Sequence, residues 1–429
     1  MWRARVTLEF LTHLIRDLVG TFFARWRRFF RQVVRGERVL TVGVDIFPFF
    51  ERMTGVGWYA WNILAELPNA DPNLHLNLYA HTFAAPDEPP PPPLPLSPRT
   101  RFRFHHIPAG FLLPIKPTMA FLRAVVEPLF MVLDGNDLYF APNFFPPRRH
   151  RAAIKNLVVT VHDLGFLRLP HTVQQETLEA LQRRLPETLA SASAIVAVSK
   201  ATAHDLQELL GVSEHRVHVI YEGVDPTFLA GEGSPPPGLP PRFVLFVSTL
   251  EPRKNLLGLF RGFQLAVEGG YPGHLVLVGR WGWRTEDAQA ELSRSPVRER
   301  IVHLDYLPRA SLTAVLRRAE ALLMPSWLEG FGLPVVEAMA CGVPVIASNT
   351  SSLPEVVADA GILVDPARPE LLAAAILELA ANPGQRAELG AKGRQRAQLF
   401  RWDEAARATA GVFYRAAGQE SGFPDAYCL

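Results

Sequence analysis

The chain has 429 residues, too many for one ordinary core and suited to two domains of about 150–200 residues each. Its 48% hydrophobic and 20% charged residues exclude a disordered chain, and a formal net charge of +2 gives no global attraction to nucleic acid. Only Cys341 and Cys428 are present, which excludes a zinc pattern and a disulfide framework and makes a reducing cytoplasm the expected compartment.

No run of 18 or more apolar residues occurs, so no spanning helix is expected. Residues 1–37 are predicted to form a basic amphipathic helix. Leu8, Leu11, Ile15, Leu18, Phe22, Trp26, Phe29 and Val33 recur at spacings of three and four. Up to residue 38, nine arginines face only Glu9, Asp17 and Glu37, a local net charge of +6. Such a helix suits an anionic membrane interface, so a peripheral position at the inner face of the membrane is the matching expectation. Packing on the protein's own surface or a partner, or a mis-assigned start, would explain the same pattern. A signal peptide does not fit, because arginines interrupt every apolar stretch.

Strand signals follow at residues 39–45, 75–79, 138–140, 157–161, 195–198 and 217–220, with helical stretches at 58–67 and 172–191 between them. Five consecutive prolines at 89–93 read as a stiff solvated connection. Residues 231–241, GEGSPPPGLPP, lack periodicity and form the best linker candidate. A second alternation begins beyond it, with strand signals at 243–247, 275–278, 301–304, 321–324, 343–347 and 362–364. Alternating strands and helices predict parallel sheets covered on both faces. The expected division is therefore 1–37, 38–230, 231–241, 242–400 and a helical tail at 401–429.

The strongest chemical signal runs from Pro325 to Met339, PSWLEGFGLPVVEAM. A buried strand ends at Met324, a glycine loop follows, and Pro334 marks a helix start. Free N–H groups at such a start favour an anion such as a diphosphate. Glu337 is expected in the first helical turn, where relief of the helix dipole is the blander explanation for it. Glu329 precedes it by eight positions, in the loop.

This segment resembles the E-x7-E signature of the retaining GT-B glycosyltransferases grouped as family 4, and the resemblance extends through nearly all of residues 39–400. Leu250-Glu251-Pro252-Arg253-Lys254-Asn255 is similar to that family's phosphate-binding stretch. Val276-Leu277-Val278-Gly279, Glu222-Gly223-Val224-Asp225, Val161-His162-Asp163-Leu164 and Thr54-Gly55-Val56-Gly57 match further motifs in order. The resemblance implies a GT-B fold, an α/β architecture of two Rossmann-like domains whose parallel sheets face a central cleft.

It also implies roles. Glu337 would bind the ribose hydroxyls, while Glu329 and the N–H groups of Gly330, Phe331, Gly332 and Leu333 would hold the transferred sugar and phosphate. Arg253 and Lys254 would neutralise the diphosphate, and His162 would face the donor sugar from the other domain. Gly55 and Gly57 would let backbone approach the donor, and Tyr306 and Leu307 would cradle the base. Many members carry a basic residue where this chain has Ser248, so that anchoring charge is either missing here or supplied by Arg280. Trp281 and Trp283 could stack on a base or acceptor, and ordinary packing explains them equally well.

No D-x-D motif is present, and Arg253, Lys254 and a helix start can carry the diphosphate, so neither a metal nor another cofactor is expected. The expected partners are a nucleotide-sugar donor, with GDP-mannose favoured by resemblance to the mannosyltransferase-type subgroup, and a glycan or lipid-linked acceptor. UDP-glucose-type and dTDP-rhamnose donors stay open. The rival readings are a non-catalytic nucleotide-sugar-binding subunit, nucleotide-sugar hydrolysis or epimerisation, and an NAD-dependent dehydrogenase. The last fits poorly, because nine residues separate Asp45 from Gly55 and no acidic residue ends the next strand.

Overall fold

The computed structural model describes residues 39–46, 53–80, 97, 99–104, 131–146, 154–230 and 233–429, with positions 19, 22, 23 and 26 besides. The expected N-terminal helix otherwise lies outside these residues; Val19, Phe22, Phe23 and Trp26 have helical backbone and exposed side chains. The proline run at 89–93 also lies outside them. Among the described residues, no helix is long and apolar enough to cross a membrane.

The first sheet contains β1 (Leu40–Asp45), β2 (Leu74–Ala80), β3 (Thr100–Phe104), β4 (Leu138–Ala141), β5 (Leu157–Val161), β6 (Ala194–Ala197) and β7 (Val217–Val219). The second contains β8 (Phe243–Val247), β9 (His274–Val278), β10 (Ile301–Leu304), β11 (Leu322–Met324), β12 (Val345–Ser348) and β13 (Ile362–Val364). The orders are β3-β2-β1-β4-β5-β6-β7 and β10-β9-β8-β11-β12-β13. Every pairing is parallel. Buried runs such as LVVTV in β5 and FVLFV in β8 form strands without polar alternation because helices cover both faces.

Strand order reverses between β1 and β4 and again between β8 and β11. In doubly wound sheets the loops leaving such neighbours diverge to opposite faces and open a crevice at the carboxyl ends. The helices that matter here are α1 (Gly55–Ala70), α2 (Lys200–Leu210), α3 (Leu256–Glu268), α4 (Arg309–Leu316), α5 (Leu333–Ala340), α6 (Leu353–Val357) and α7 (Trp402–Ala416).

After the second sheet the chain returns to the first. Helix α7 lies on α1, where Phe413 packs on Phe140 with ring centroids 5.0 Å apart and Tyr414 donates to Asp71 Oδ2 at 2.5 Å. The tail then runs beside the end of β7, with Tyr221 N donating to the Tyr427 carbonyl at 2.7 Å and Tyr427 N to that of Val219 at 2.8 Å.

Three local expectations need correction. Gly55 and Gly57 belong to the first turn of α1 rather than a preceding loop: Thr54 is extended and its carbonyl accepts from Trp58 N at 3.0 Å, so the helix starts three residues early. The helix expected from 172 begins at Gln175, after a 3-10 turn at Pro170–Thr172. Glu337 is the fifth residue of α5 and stands in its second turn, beyond the unpaired N–H groups of the helix start, so dipole relief no longer accounts for it.

Candidate functional site

Because β8 and β11 are neighbours across the reversal, the loops leaving them lie side by side. The loop after β8 ends in a 3-10 turn, Pro252–Lys254, followed by Asn255 in left-handed conformation at φ 57°. Asn255 ties the region together. Its Oδ1 accepts from Gly258 N at 3.2 Å to cap α3, while Nδ2 donates to the carbonyls of Pro325 at 3.0 Å and Pro366 at 2.8 Å. Trp327 N then donates to the Arg253 carbonyl at 3.0 Å, joining the two loops directly.

This framework brings Arg253, Lys254 and Glu329 together. Lys254 Nζ lies 2.7 and 2.8 Å from the two carboxylate oxygens of Glu329, and Ser326 Oγ donates to the same carboxylate at 2.6 Å. Both Lys254 and Glu329 are buried. Burial alone would raise the Glu329 pKa, but Lys254, Arg253 and Ser326 outweigh it and hold the carboxyl below its ordinary range. Arg253 donates to the Leu328 carbonyl and to Glu251, each at 2.8 Å, and lies 3.5 Å from Glu329 and 3.8 Å from Asp163. The two cations thus face three carboxylates, Glu251, Asp163 and Glu329.

Gly332, at φ 104°, precedes α5 in a conformation that favours glycine. Among the described residues, the N–H groups of Gly330, Phe331, Gly332 and Leu333 donate to no protein acceptor. The first domain closes directly over this loop. A Cβ built on Gly330 would overlap the carbonyl oxygen of His162, and Thr202 Oγ1 donates to that oxygen at 3.1 Å. Further ties cross the cleft: Glu355 of α6 accepts from Lys200 N at 3.1 Å and Ala201 N at 2.9 Å, and Trp283 Nε1 donates to the Thr172 carbonyl at 2.9 Å. Trp283 is therefore partly committed to the interface, while Trp281 packs against His303.

His162 follows β5 and is buried. Its Nε2 donates to the Pro142 carbonyl at 2.9 Å, and Nδ1 lies 3.7 Å from Glu222 Oε1. Tyr59 and Phe144 meet its ring edge-on. Burial raises the pKa of Glu222, with His162 opposing the shift.

Glu337 is half-buried, and its carboxylate accepts no hydrogen bond among the described residues. Its pKa is pushed up to about 7, chiefly by burial; Arg309 opposes the shift and Glu222 adds to it. Arg309, from α4, stacks 3.5 Å over Trp58 of α1 and pairs with Asp225, so a side chain of the second domain is clasped by the first.

The remaining expected residues are more peripheral. Gly55 faces Leu333, whose Cδ1 would lie 4.0 Å from an added Cβ, so α1 begins opposite the start of α5. Tyr306 and Leu307 follow the edge strand β10; Tyr306 is half-exposed, its N–H donating to Asp305 Oδ1 at 2.7 Å, and Leu307 packs on the core. Arg280 engages the exposed carboxylate of Asp305 at 2.9 Å, which answers for part of the charge expected to compensate Ser248. Ser326, Thr202, Glu222 and Arg309 join the site without a role expected from the sequence. Ser326 and Glu222 lie within the motif stretches Pro325–Met339 and Glu222–Asp225, whereas Thr202 and Arg309 carry no local signal.

Two parallel doubly wound domains meeting at the carboxyl ends of their strands, with this loop-and-helix arrangement at the second reversal, define the GT-B class of glycosyltransferases. Residues 53–228 match Glycosyltransferase Family 4 and residues 234–396 match Glycosyl transferases group 1. The chain belongs to this family of glycosyltransferases. It is 32% identical to O-antigen chain mannosyltransferase B of Escherichia coli, over 64% of this chain and 74% of that one. It is 35% identical to the MMP alpha-(1->4)-mannosyltransferase of Mycolicibacterium hassiacum, over 56% of this chain and 57% of that one. In fold it is similar to sucrose-phosphate synthase from Thermosynechococcus elongatus, with TM-score 0.65 and 22% identity over 88% of this chain and 98% of that one. It is also similar to the Anabaena protein HepE in complex with UDP, with TM-score 0.60 and 17% identity over 88% and 100% of the two chains.

Proposed function

We propose that the protein is a retaining hexosyltransferase that moves mannose from GDP-mannose to a glycan or lipid-linked acceptor, in the synthesis of a cell-surface polysaccharide. The observation that carries this reading is the Lys254–Glu329–Ser326 cluster at the β8/β11 reversal, set against His162 of the other domain. The choice of mannose draws on the two mannosyltransferase relatives.

In this reading the ribose hydroxyls bond to Glu337. The hexose lies between Glu329 and His162, and the diphosphate sits against the N–H groups of Gly330 to Leu333. Arg253 and Lys254 face the diphosphate, whose charge grows as the glycosidic bond breaks, so they act most strongly in the transition state. Entry of the donor gives Glu329 sugar hydroxyls as new partners and leaves more of both cations to the phosphates. The acceptor oxygen attacks the anomeric carbon on the face from which the diphosphate departs. The acceptor's proton passes to the leaving phosphate, which keeps the configuration without a carboxylate nucleophile. Gly55 and Gly57 leave room for the donor beside α5, Tyr306 and Leu307 line the base, and no bound metal is required. Residues 1–37 hold the protein against an anionic membrane surface; unchanged binding to anionic liposomes after their deletion would overturn that part.

The experiment is nucleotide release from GDP-, UDP- and dTDP-sugars in EDTA, with wild type and Glu337→Ala. Turnover or slow hydrolysis of GDP-mannose, lost in the variant, is expected. Turnover of a UDP- or dTDP-sugar instead would overturn the donor assignment, and activity only without EDTA would overturn metal independence.

A further inference from the structure

Buried polar atoms are almost always paired, so the contacts of a buried histidine fix where its protons lie. A carbonyl oxygen only accepts, and His162 Nε2 lies 2.9 Å from that of Pro142, so Nε2 carries a hydrogen. A neutral ring with that hydrogen presents a bare lone pair at Nδ1. Yet Nδ1 faces the Glu222 carboxylate at 3.7 Å, and both residues are buried, at 8% and 4% exposure. A lone pair opposite an ionised carboxylate there would be repulsive. A proton on either Nδ1 or the carboxyl removes that repulsion.

Among the described residues, the Glu222 carboxylate accepts no hydrogen bond within the usual distance, and its ion-pair contact is this ring at 3.7 Å. The titratable neighbours around the pair are Tyr59 of α1, whose hydroxyl is bonded to Thr160 Oγ1 at 2.9 Å, and Glu337 of α5, itself beside Arg309. A second carboxylate nearby favours keeping the proton on the pair. The rings of Tyr59 and Phe144, edge-on at 4.9 and 6.1 Å, flank the imidazole.

We propose that Glu222 is a positioning residue for sugar transfer, which shares one proton with His162 Nδ1 and so fixes the orientation and protonation of that ring. The inference rests on the reading of His162 as the residue facing the donor sugar. The His162 carbonyl abuts Gly330, so a tilt of the ring and its backbone reaches the wall against which the hexose is placed. When the pair loses its proton at alkaline pH, a buried carboxylate is left opposing a lone pair, and the ring is displaced.

The test compares wild type with Glu222→Gln and Glu222→Ala, following turnover of GDP-mannose over pH 5.5–9.5 and the imidazole resonances of 15N-histidine-labelled protein without donor. The His162 signal is assigned by its loss in His162→Gln. In wild type, the spectra should show a proton at His162 Nδ1 shared with Glu222 at neutral pH, and turnover should fall only when that proton leaves. In Glu222→Gln an amide N–H replaces the shared proton and does not titrate, so the alkaline fall should disappear from that range while turnover at pH 7 is largely kept. In Glu222→Ala the signature of the shared proton should vanish, and kcat should drop about tenfold with little change in KM for the donor.

Superimposable pH profiles for wild type and Glu222→Gln would overturn the proposal, as would wild-type spectra in which His162 Nδ1 carries no shared proton at neutral pH. A shared proton in the spectra with turnover indifferent to both substitutions would overturn the positioning role, and would leave the assignment of Glu329 and Glu337 to the donor standing. Loss of GDP-mannose turnover in wild type itself would instead fault the donor assignment, and the spectra would still decide the shared proton.

Discussion

Lys254 and Glu329, 75 residues apart in sequence, meet as a buried ion pair with Nζ 2.7 and 2.8 Å from the two carboxylate oxygens. The pair joins the loops after β8 and β11, and it also sets what each residue can offer a ligand. Lys254 does not wait as a free cation, because its charge holds Glu329 ionised until a ligand supplies other partners. Removing Lys254 leaves Glu329 buried with only Ser326 and the more distant Arg253 to stabilise its charge. Lys254→Met should therefore lower stability, by less than the ~3–5 kcal/mol of a fully uncompensated buried charge, read as a shift in the urea midpoint at unchanged slope. The double variant Lys254→Met/Glu329→Gln should recover part of that loss and no activity. Equal stability of the single and double variants would show that the two side chains are not coupled.

Gly330 meets the carbonyl oxygen of His162 across the cleft with no room for a side chain. Gly330→Ala should keep both domains folded and hold the cleft open by roughly the width of a methyl group. A displacement of that size near the reacting atoms costs about 100-fold in kcat/KM. Steady-state kinetics beside a thermal melt separates the two effects: a large fall in kcat/KM with a near-native melting temperature is expected. Near-wild-type turnover would mean that catalysis tolerates a wider gap at this point.

What the sequence reveals follows from the range of the forces involved. Residues 157–161 and 243–247, LVVTV and FVLFV, are dominated by β-branched and aromatic residues, and they form strands with those bounds. By contrast, Thr100–Phe104 reads TRFRF; its arginines interrupt the apolar run and prolines precede it, and its place beside β2 comes from pairing across the sheet. The start of α1 at Gly55 is hidden for a related reason, since two glycines weaken the local helical signal and the extended Thr54 sets the boundary. At the site, the motif spacing identifies Arg253, Lys254, Glu329 and Glu337 as residues of one region. It does not disclose that Glu329 neutralises Lys254, that Glu222 faces His162, or that Arg309 stacks on Trp58. Those are encounters between distant segments, and no local pattern encodes them.

Asp71 and Tyr414 connect the end of α1 to the last helix across 343 positions, with Tyr414 Oη donating to Asp71 Oδ2 at 2.5 Å. Asp71 is buried at 2% exposure, so its carboxylate depends on that hydroxyl and on Asn73 N at 2.9 Å. Tyr414→Phe keeps the ring that stacks on Phe423 and removes only the donor. The variant should lose about 1–3 kcal/mol. Asp71→Asn combined with Tyr414→Phe should lose less than Tyr414→Phe alone, because the remaining buried group is then uncharged. Chemical denaturation of the three variants checks the order.

Glu337 supplies a prediction in which stability and ligand binding move oppositely with pH. Its pKa is raised from an ordinary 4.5 to about 7, largely by burial, with Arg309 opposing. Between these values the folded protein holds a proton that the unfolded chain has released. Stability from this group is therefore fully present below about pH 4.5 and is lost as pH rises through about 7, by up to about 3 kcal/mol in total. Glu337→Gln should remove that part of the pH dependence and melt above wild type at pH 8. Binding runs the other way. An ionised carboxylate accepts from two ribose hydroxyls, whereas the protonated form spends one oxygen as a donor. Nucleotide binding at pH 6 should thus release close to one proton and at pH 8 almost none, with affinity rising between them. Calorimetry in buffers of different ionisation enthalpy reads the proton count directly. A count near zero at pH 6 would mean that Glu337 is already ionised there, or that the nucleotide does not engage it; Glu337→Gln distinguishes these by whether its affinity falls.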